Sequence, residues 1–584
     1  MSLDYEFAII GSGFGGGVAA ARLSKRWPDK GILLERGQEY PLGGFARSPA
    51  DLADNFWAPV DDPSHVQHVK RRRAAKGALL GLFDVRSFAR MDTVTAAGLG
   101  GGSLIYANVF LRPPEVAFRN GLWPRGVDLG TLAAYYDVGQ TVLAARPTPP
   151  AVNEDDPRFI RRTQAFERFA QAAGLSAKRA DIAVFFGNDY VRDPQLPPTD
   201  QGVQEVNRYG ARQTSCTYCG ECDIGCNVRA KNTTDLNYIH AARTRYGLTV
   251  QSLAQVTHLV PLDASGQDDP AASGEHGYRI FFEDHAAGRA ASITAQRVVV
   301  SAGTLGSNEL LLRSRDHYKT LPRVSPQLGK RFSGNGDFLS FALDGETRVG
   351  STYGPVITQY TDHHLFAAHD PARAFLLEDA SIPTHAAWAM ATLEPALTPL
   401  ASLKRLLAVV VDLIRRRYPG LAAHRLGYLA SKLMAHDLVE HSAVLLCMGT
   451  DRSDGQLALT EAGGLDLDWP QATSASLYQS ILDLGKRFGA FIGAKWFVPL
   501  PTWNIGHNVT VHPLGGCTLA DSPEMGVVSA AEGERGQVFG YRGLYVADGS
   551  IVPGALGANP AATITALSEW ICHDMTGVGP DAEL

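Results

Sequence analysis

The sequence predicts an α/β fold founded on a Rossmann-type domain with a parallel sheet. Three observations lead there. An apolar strand, Phe7-Ala8-Ile9-Ile10, runs straight into Gly11-x-Gly13-x-x-Gly16. A small-residue helix pattern follows (Val18, Ala19, Ala20, Ala21, Leu23), and a second apolar strand, Ile32-Leu33-Leu34, ends in Glu35. Near the other end, an apolar strand through Val546 runs into Asp548-Gly549-Ser550. Gly557-Ala558-Asn559-Pro560 and a helix pattern from Thr563 to Trp570 come next.

The first unit is a dinucleotide-binding fingerprint in full context. Gly11 permits a tight turn, Gly13 lets the backbone approach a pyrophosphate, and Gly16 lets helix and strand pack closely. The helix N-terminus then faces the phosphates. Glu35 falls about 20 residues further on, where an acid accepts ribose hydroxyls. An acid there disfavours a 2′-phosphate, so FAD or NAD fits better than NADP. Residues 41–95 read as a long excursion of loops, and its basic run Lys70-Arg71-Arg72-Arg73 as a solvated face.

Next, Gly100-Gly101-Gly102-Ser103 leads into Tyr106 and Asn108. Three consecutive glycines let the backbone pass close to a flat or anionic group. The Pro-rich stretches 145–156 and 191–205 read as linkers or loops, and the acidic stretch 262–276 as an exposed hairpin or loop. Parallel-strand patterns return at Leu248–Val250 and Ala254–Val256. A buried strand, Val298–Val300, enters Ser301-Ala302-Gly303-Thr304 and a helix pattern. Nucleotide-domain segments therefore alternate with other material. Residues 403–416 carry Leu403, Leu406, Leu407, Val410 and Leu413 at helical spacing, flanked by Lys404, Arg405, Arg415 and Arg416. That pattern suits a lid or core helix better than a membrane-surface helix.

Composition bounds the function. The 584 residues are enough for more than one core, and 45% hydrophobic with 20% charged residues is ordinary for a globular protein. A formal net charge of −6 argues against a general nucleic-acid binder. No stretch reaches membrane-span length and no signal segment precedes the first strand, so a cytoplasmic location is expected, with peripheral membrane contact left open. In the last third, His512-Pro513-Leu514-Gly515-Gly516 places an imidazole beside glycines. The strand–acid–glycine–helix return through Asp548 suits anchoring the ribityl chain or pyrophosphate of a large cofactor.

Together these motifs resemble the glucose–methanol–choline (GMC) oxidoreductase family, and look closest to its bacterial cholesterol-oxidase-like branch with noncovalent FAD. The resemblance rests on Gly11–Gly16, Glu35, Gly100–Ser103, Ser301–Thr304, His512–Gly516, Asp548–Ser550 and Gly557–Pro560. It implies a discontinuous FAD-binding domain from residues 1–115, 227–322 and 503–584. It also implies an α+β substrate-binding domain, an antiparallel sheet with helices, from 116–226 and 323–502. That second domain would include the cysteine cluster 216–226 and a helical lid or insertion at about 395–442. The implied cofactor contacts are Gly11, Gly13, Gly16, Glu35, Gly101, Gly102, Ser103, Tyr106, Asn108, Val256, Ala302, Gly303, Asp548, Gly549, Asn559 and Pro560. His512 and Asn559 are the implied catalytic pair: an imidazole to take the alcohol proton or hold the developing alkoxide, and an amide to orient the hydroxyl.

The resemblance is incomplete. The branch carries an isomerising glutamate in a Pro-x-Gly-x-Glu-x-Trp-like context. The nearest stretch here, Ile382-Pro383-Thr384-His385-Ala386-Ala387-Trp388, lacks it, and Glu378 lies upstream in uncertain register. This departure argues against isomerase activity and against cholesterol itself as the substrate. After the serine loop, either Tyr106 or Asn108 takes the role of the branch's asparagine.

Cys216, Cys219, Cys222 and Cys226 follow the spacing C-x₂-C-x₂-C-x₃-C, the run of bacterial ferredoxins without its final proline. An iron–sulfur centre, [3Fe–4S] or [4Fe–4S], is favoured over disulfides, zinc or unligated thiols. Such a centre would give electrons an exit other than O₂, which narrowly favours a dehydrogenase over an oxidase.

The leading expectation is FAD-dependent oxidation of a bulky apolar alcohol, sterol-like or long-chain, by hydride transfer to flavin N5. The electron acceptor would be a quinone, a cytochrome or O₂. One alternative is an electron-transfer flavoprotein subunit whose cysteine-held centre serves a quinone or cytochrome. Another is a flavin-binding protein in which His512 is structural.

Overall fold

Phe7, Ala8, Ile9 and Ile10 are all buried. The strand they form, β1 (Tyr5–Ile10), is therefore covered on both faces, the environment of a parallel α/β sheet. In the computed structural model, which describes residues 3–47, 49–366, 370–383, 386, 387, 407, 410, 437–500, 503 and 506–584, β1 is central. It pairs in parallel with β2 (Gly31–Glu35) on one side and with Arg289–Val300 on the other. Thr249–Ser252 extends the sheet beyond β2, and Leu544–Val546 extends it beyond Arg289–Val300. The two ends of the chain thus meet in one sheet.

Arg289–Val300 belongs to two environments. Its last residues sit in the parallel sheet, while Arg289–Ala295 pairs antiparallel with Tyr278–Asp284. Ala254–Pro261, expected as a parallel strand, instead pairs antiparallel with Tyr278–Asp284. The physical cause is local. Only Leu253 separates it from Thr249–Ser252, and Leu253 sits at φ 60°, so the chain turns there with no room for a crossover. The acidic stretch 262–276 connects this hairpin, in line with the loop expected.

Helix α1 (Phe14–Arg26) packs against the C-terminal helix Ala561–Thr576. Gly16 allows its start to approach the turn: a Cβ there would lie 2.0 Å from the Gly11 carbonyl oxygen. Deeper in, Arg22 donates to both carboxylate oxygens of Glu569 at 2.7 and 3.0 Å, and the Tyr238 hydroxyl donates to Glu569 at 2.9 Å. This buried pair ties together three helices, since Tyr238 opens the helix Tyr238–Tyr246. Losing one partner of such a pair costs about 3–5 kcal/mol.

The excursion 41–95 is more ordered than expected. It contains the hairpin Phe83–Ser87 and Met91–Ala96, and Met91–Ala96 pairs in parallel with Asn508–Thr510. That pairing delivers His512 to its position. The basic run lies on the short helix Gln67–Lys76, where Arg72 and Lys76 pair with Asp54, consistent with a solvated face.

A second sheet is antiparallel. Its order is Trp496–Pro499, Phe338–Leu343, Ala443–Gly449, Phe375–Ala380, Gln359–His363 and Ala177–Arg179. The helix Ala475–Phe491 covers it with Leu477, Ile481, Leu484 and Phe488. The helix Leu129–Val142, from the segment 116–226 expected with this sheet, packs instead on Ala561–Thr576. Almost all of the expected lid, 395–442, lies outside the described residues, as does most of the amphipathic stretch 403–416. Among the described residues no helix is long and apolar enough to cross a membrane.

Candidate active site

A cavity of about 530 Å³ runs between the two sheets. Its nucleotide-side wall is made by the turn after β1, the end of β2 and the glycine loop. Gly11 holds φ 97°, and a Cβ there would lie 2.3 Å from the Ser301 carbonyl oxygen, so only glycine suits this turn. Glu35 accepts from the Ser12 hydroxyl at 2.5 Å and from the Gly37 N–H at 2.8 Å. Burial pushes its carboxyl above the ordinary carboxylate value. Asp548 accepts from the Gly303 N–H at 3.0 Å and from the Ser550 N–H at 2.8 Å, tying the C-terminal return to the 301–304 turn.

Most of the residues expected at a cofactor share this cavity: Gly11, Gly13, Glu35, Gly101, Gly102, Tyr106, Val256, Ala302, Gly303, Asp548, Gly549, Asn559 and Pro560 line it, with His512. Gly16, Ser103 and Asn108 do not. Gly16 serves packing, as described. Ser103 is buried, its hydroxyl donating to the Gly100 carbonyl at 2.6 Å and accepting from the Thr234 N–H at 3.1 Å. It braces the glycine loop from behind. Asn108 is buried away from the cavity, so of the two residues weighed for that role, Tyr106 is the one on the wall.

The opposite wall comes from the antiparallel sheet. Leu339 pairs with Leu446 and Phe341 with Val444, and all four line the cavity with Val356 and Pro383. Strand alternation places these side chains on one face. His512 is set beside this apolar wall by Asp337, the residue preceding Phe338: the imidazole Nδ1 lies 2.8 Å from Asp337 Oδ1. Asn559 Nδ2 lies 3.5 Å from Glu378 Oε2. Among the described residues, Asn559 Oδ1 and Glu378 Oε1 have no hydrogen-bond partner. Burial pushes the Glu378 carboxyl well above the ordinary range.

Three residues here escaped the sequence reading. Asp337 carries no motif; its only signal is an acid placed just before an apolar strand. Glu378 could not be put in register, and folding sets it against Asn559. Lys231 is buried under the Tyr106 ring at 4.9 Å and donates to the carbonyls of Leu104, Tyr106 and Cys222 at 2.8, 3.0 and 2.6 Å. Burial pulls its ammonium down to about 8.

The four cysteines meet a different fate. They line one narrow cavity with Lys231, but its volume is about 10 Å³, no more than the threshold for a single water. None of the seven cysteines forms a disulfide. Among the described residues no three His, Cys, Asp or Glu side chains converge as a metal site. The expected iron–sulfur centre therefore does not fit this arrangement, and neither does zinc.

A nucleotide cleft closed by an antiparallel sheet, with an imidazole at its apolar end, defines the class: a Rossmann-type oxidoreductase. Family signatures described as GMC oxidoreductase match residues 196–333 and 503–568. A cholesterol oxidase of Acinetobacter baumannii is 26% identical over 97% of this chain and 93% of its own. A long-chain-alcohol oxidase of Arabidopsis thaliana is 22% identical over 96% of this chain and 65% of its own. An FAD-dependent oxidoreductase from Chaetomium thermophilum superposes with a TM-score of 0.57 at 14% identity, covering 98% of this chain and 99% of the other. Over these stretches, and at 26% identity along most of its length, the chain is similar to the GMC oxidoreductase family.

Members of this family carry FAD, and the cavity can be tested for it. A Cβ added at Gly102 or Gly303 would meet nothing within 4 Å, so both open onto the space the cofactor would fill. Two helix N-termini, of α1 and of Ala561–Thr576, border the same space and favour a pyrophosphate and a polarised ring edge. The residues fit the group.

Proposed function

We propose that this protein holds FAD in the cavity and oxidises a bulky apolar alcohol, sterol-like or long-chain, to the carbonyl compound. One observation carries the reading: an imidazole and an amide, the amide backed by a buried carboxyl, stand at the junction between a glycine-lined cofactor wall and an aliphatic–aromatic wall. FAD, when bound, supplies the hydride acceptor.

The chain supplies the rest. Gly11, Gly13, Gly101, Gly102, Gly303, Asp548 and Gly549 hold the ribityl–pyrophosphate portion, with Glu35 toward the ribose. Val256 flanks the nucleotide. Leu339, Phe341, Val444 and Leu446 bury the alkyl body of the alcohol and exclude water. His512 accepts hydrogen-bonding from the hydroxyl, and Asn559 orients the same oxygen. Glu378, behind Asn559, keeps the amide turned toward the cavity. Positioned acid–base groups of this kind contribute about 10²–10⁴-fold in rate.

Dioxygen is the proposed acceptor. A dehydrogenase would draw on the cysteine centre as an electron exit, which the narrow cysteine cavity does not support, and the cholesterol and long-chain-alcohol relatives named above are oxidases. The decisive experiment is anaerobic mixing of the yellow protein with sterols and long-chain alcohols. Bleaching of the flavin, followed by peroxide release on admitting air, is the expected result. No bleaching with any member of either class refutes the reading.

A further inference from the structure

Asp337 is buried, 2% exposed, and stands at the seam between the two sheets. Its backbone leads into the antiparallel strand Phe338–Leu343, while its carboxylate reaches the segment after Asn508–Thr510. Oδ2 accepts the Val511 N–H at 2.8 Å and the His512 N–H at 3.1 Å, with the Thr510 hydroxyl 2.9 Å away. Oδ1 lies 2.8 Å from His512 Nδ1. The Asn508 side-chain amide also donates to the Asp337 carbonyl at 3.0 Å.

Backbone N–H groups donate whatever the pH, so Oδ2 is committed as an acceptor. A carboxylate has acceptors only. The nitrogen facing Oδ1 must then bring the hydrogen. We infer that Asp337 is a positioning residue for His512: it holds the imidazole by Nδ1–H and leaves Nε2 as the bare nitrogen presented to the cavity. This rests on the alcohol-oxidising reading given above and decides the role of His512 within it, as a base.

The proton balance follows. The substrate O–H bond breaks as the Nε2–H bond forms. The electron pair left on oxygen becomes the second carbonyl bond as hydride leaves carbon, for which FAD, when bound, would supply the acceptor. The imidazolium so formed faces the Asp337 carboxylate, whose charge opposes its own. The backbone amides of Val511 and His512, by fixing the Asp337 carboxylate, thus govern which nitrogen of the histidine is reactive. The device orients as well as stabilises: bonded through Nδ1, the ring cannot flip without abandoning its partner.

The test uses the FAD-loaded enzyme. Nitrogen-15 NMR of histidine-labelled protein, with His512→Gln assigning the signal by difference, reads the tautomer at a pH where the ring is neutral. Hydrogen on Nδ1 with bare Nε2 is expected; hydrogen on Nε2 overturns the inference and needs no Asp337 variant to do so. In Asp337→Asn the single-turnover rate of flavin reduction falls by on the order of 10²–10⁴-fold, as when a comparable carboxylate behind a catalytic histidine is neutralised. Substrate affinity changes less than about threefold, because both Asp337 carboxylate oxygens are engaged by the Thr510–His512 segment. Asp337→Glu restores part of the rate. A rate in Asp337→Asn equal to wild type also overturns the inference. Failure of the proposed activity looks different: no alcohol bleaches the wild-type flavin, while the tautomer still reads out on its own.

Discussion

The cofactor wall and the cysteine segment are both buried, both polar, and share Lys231 as a neighbour, yet they end as opposites. One encloses about 530 Å³ and the other about 10 Å³. The cysteines had the tighter local pattern, four thiols in eleven residues. The cofactor wall draws its residues from positions as far apart as Gly11 and Pro560 and still converges on a single space. Close spacing in a chain guarantees neighbourhood, not a hole of the right size. A hole is made by what the surrounding backbone fails to fill, and glycines at Gly102 and Gly303 leave that room, whereas the cysteine loop is packed by Val184, Val228 and Pro355.

The contrast can be attacked experimentally, beginning where the effect is largest. His512→Ala lowers the rate of flavin reduction by about 10²–10⁴-fold with FAD still bound, measured by stopped-flow bleaching without oxygen. Loss of FAD together with activity would make His512 structural instead. Gly102→Leu fills the cradle: the protein folds, with an unchanged circular dichroism spectrum, but purifies with less than about a tenth of the wild-type flavin, a loss of about 1.4 kcal/mol or more in binding.

Glu378→Gln has a subtler signature. The native carboxyl is raised above its ordinary value by burial, so between that value and its native one the folded state binds more protons than the unfolded state. Stability therefore falls as pH rises through that window. The glutamine variant loses this slope, so its Tm gains on wild type as pH rises above the ordinary carboxylate value. Equal slopes in scanning calorimetry would mean that Glu378 is ionised. Smallest is Cys219→Ser, whose turnover stays within about threefold of wild type, less than about 0.7 kcal/mol. Metal analysis of the wild-type protein finds less than one iron or zinc per chain. A broad visible absorbance beneath the flavin bands would break the comparison outright.

The legible part of the site was the part carried by backbone chemistry. Gly11, Gly13, Glu35, Gly101, Gly102, Gly303 and Asp548 announced themselves because a tight turn, a close approach or a ribose contact admits few residue types. Ser103 and Asn108 sat in the right motif but on its far side, since a three-residue shift along a tight loop reverses which face a side chain takes. Ala254–Val256 read as a parallel strand because apolar alternation does not encode strand direction; the turn at Leu253 does. Asp337 left no mark and Glu378 no register, because an acid before or within an apolar strand is indistinguishable in one dimension from a solvated one.

By itself the sequence determined the nucleotide-binding half, from β1 through the glycine loop to the return at Asp548, because those steps depend on contacts between near neighbours and on backbone angles that only certain residues accept. Only the tertiary structure decided which acid backs His512, which acid backs Asn559, and that the cysteines close on themselves. Those outcomes depend on side chains brought together from distant segments, Asp337 to His512 and Glu378 to Asn559, and on the volume left between sheets, a quantity that no linear pattern contains.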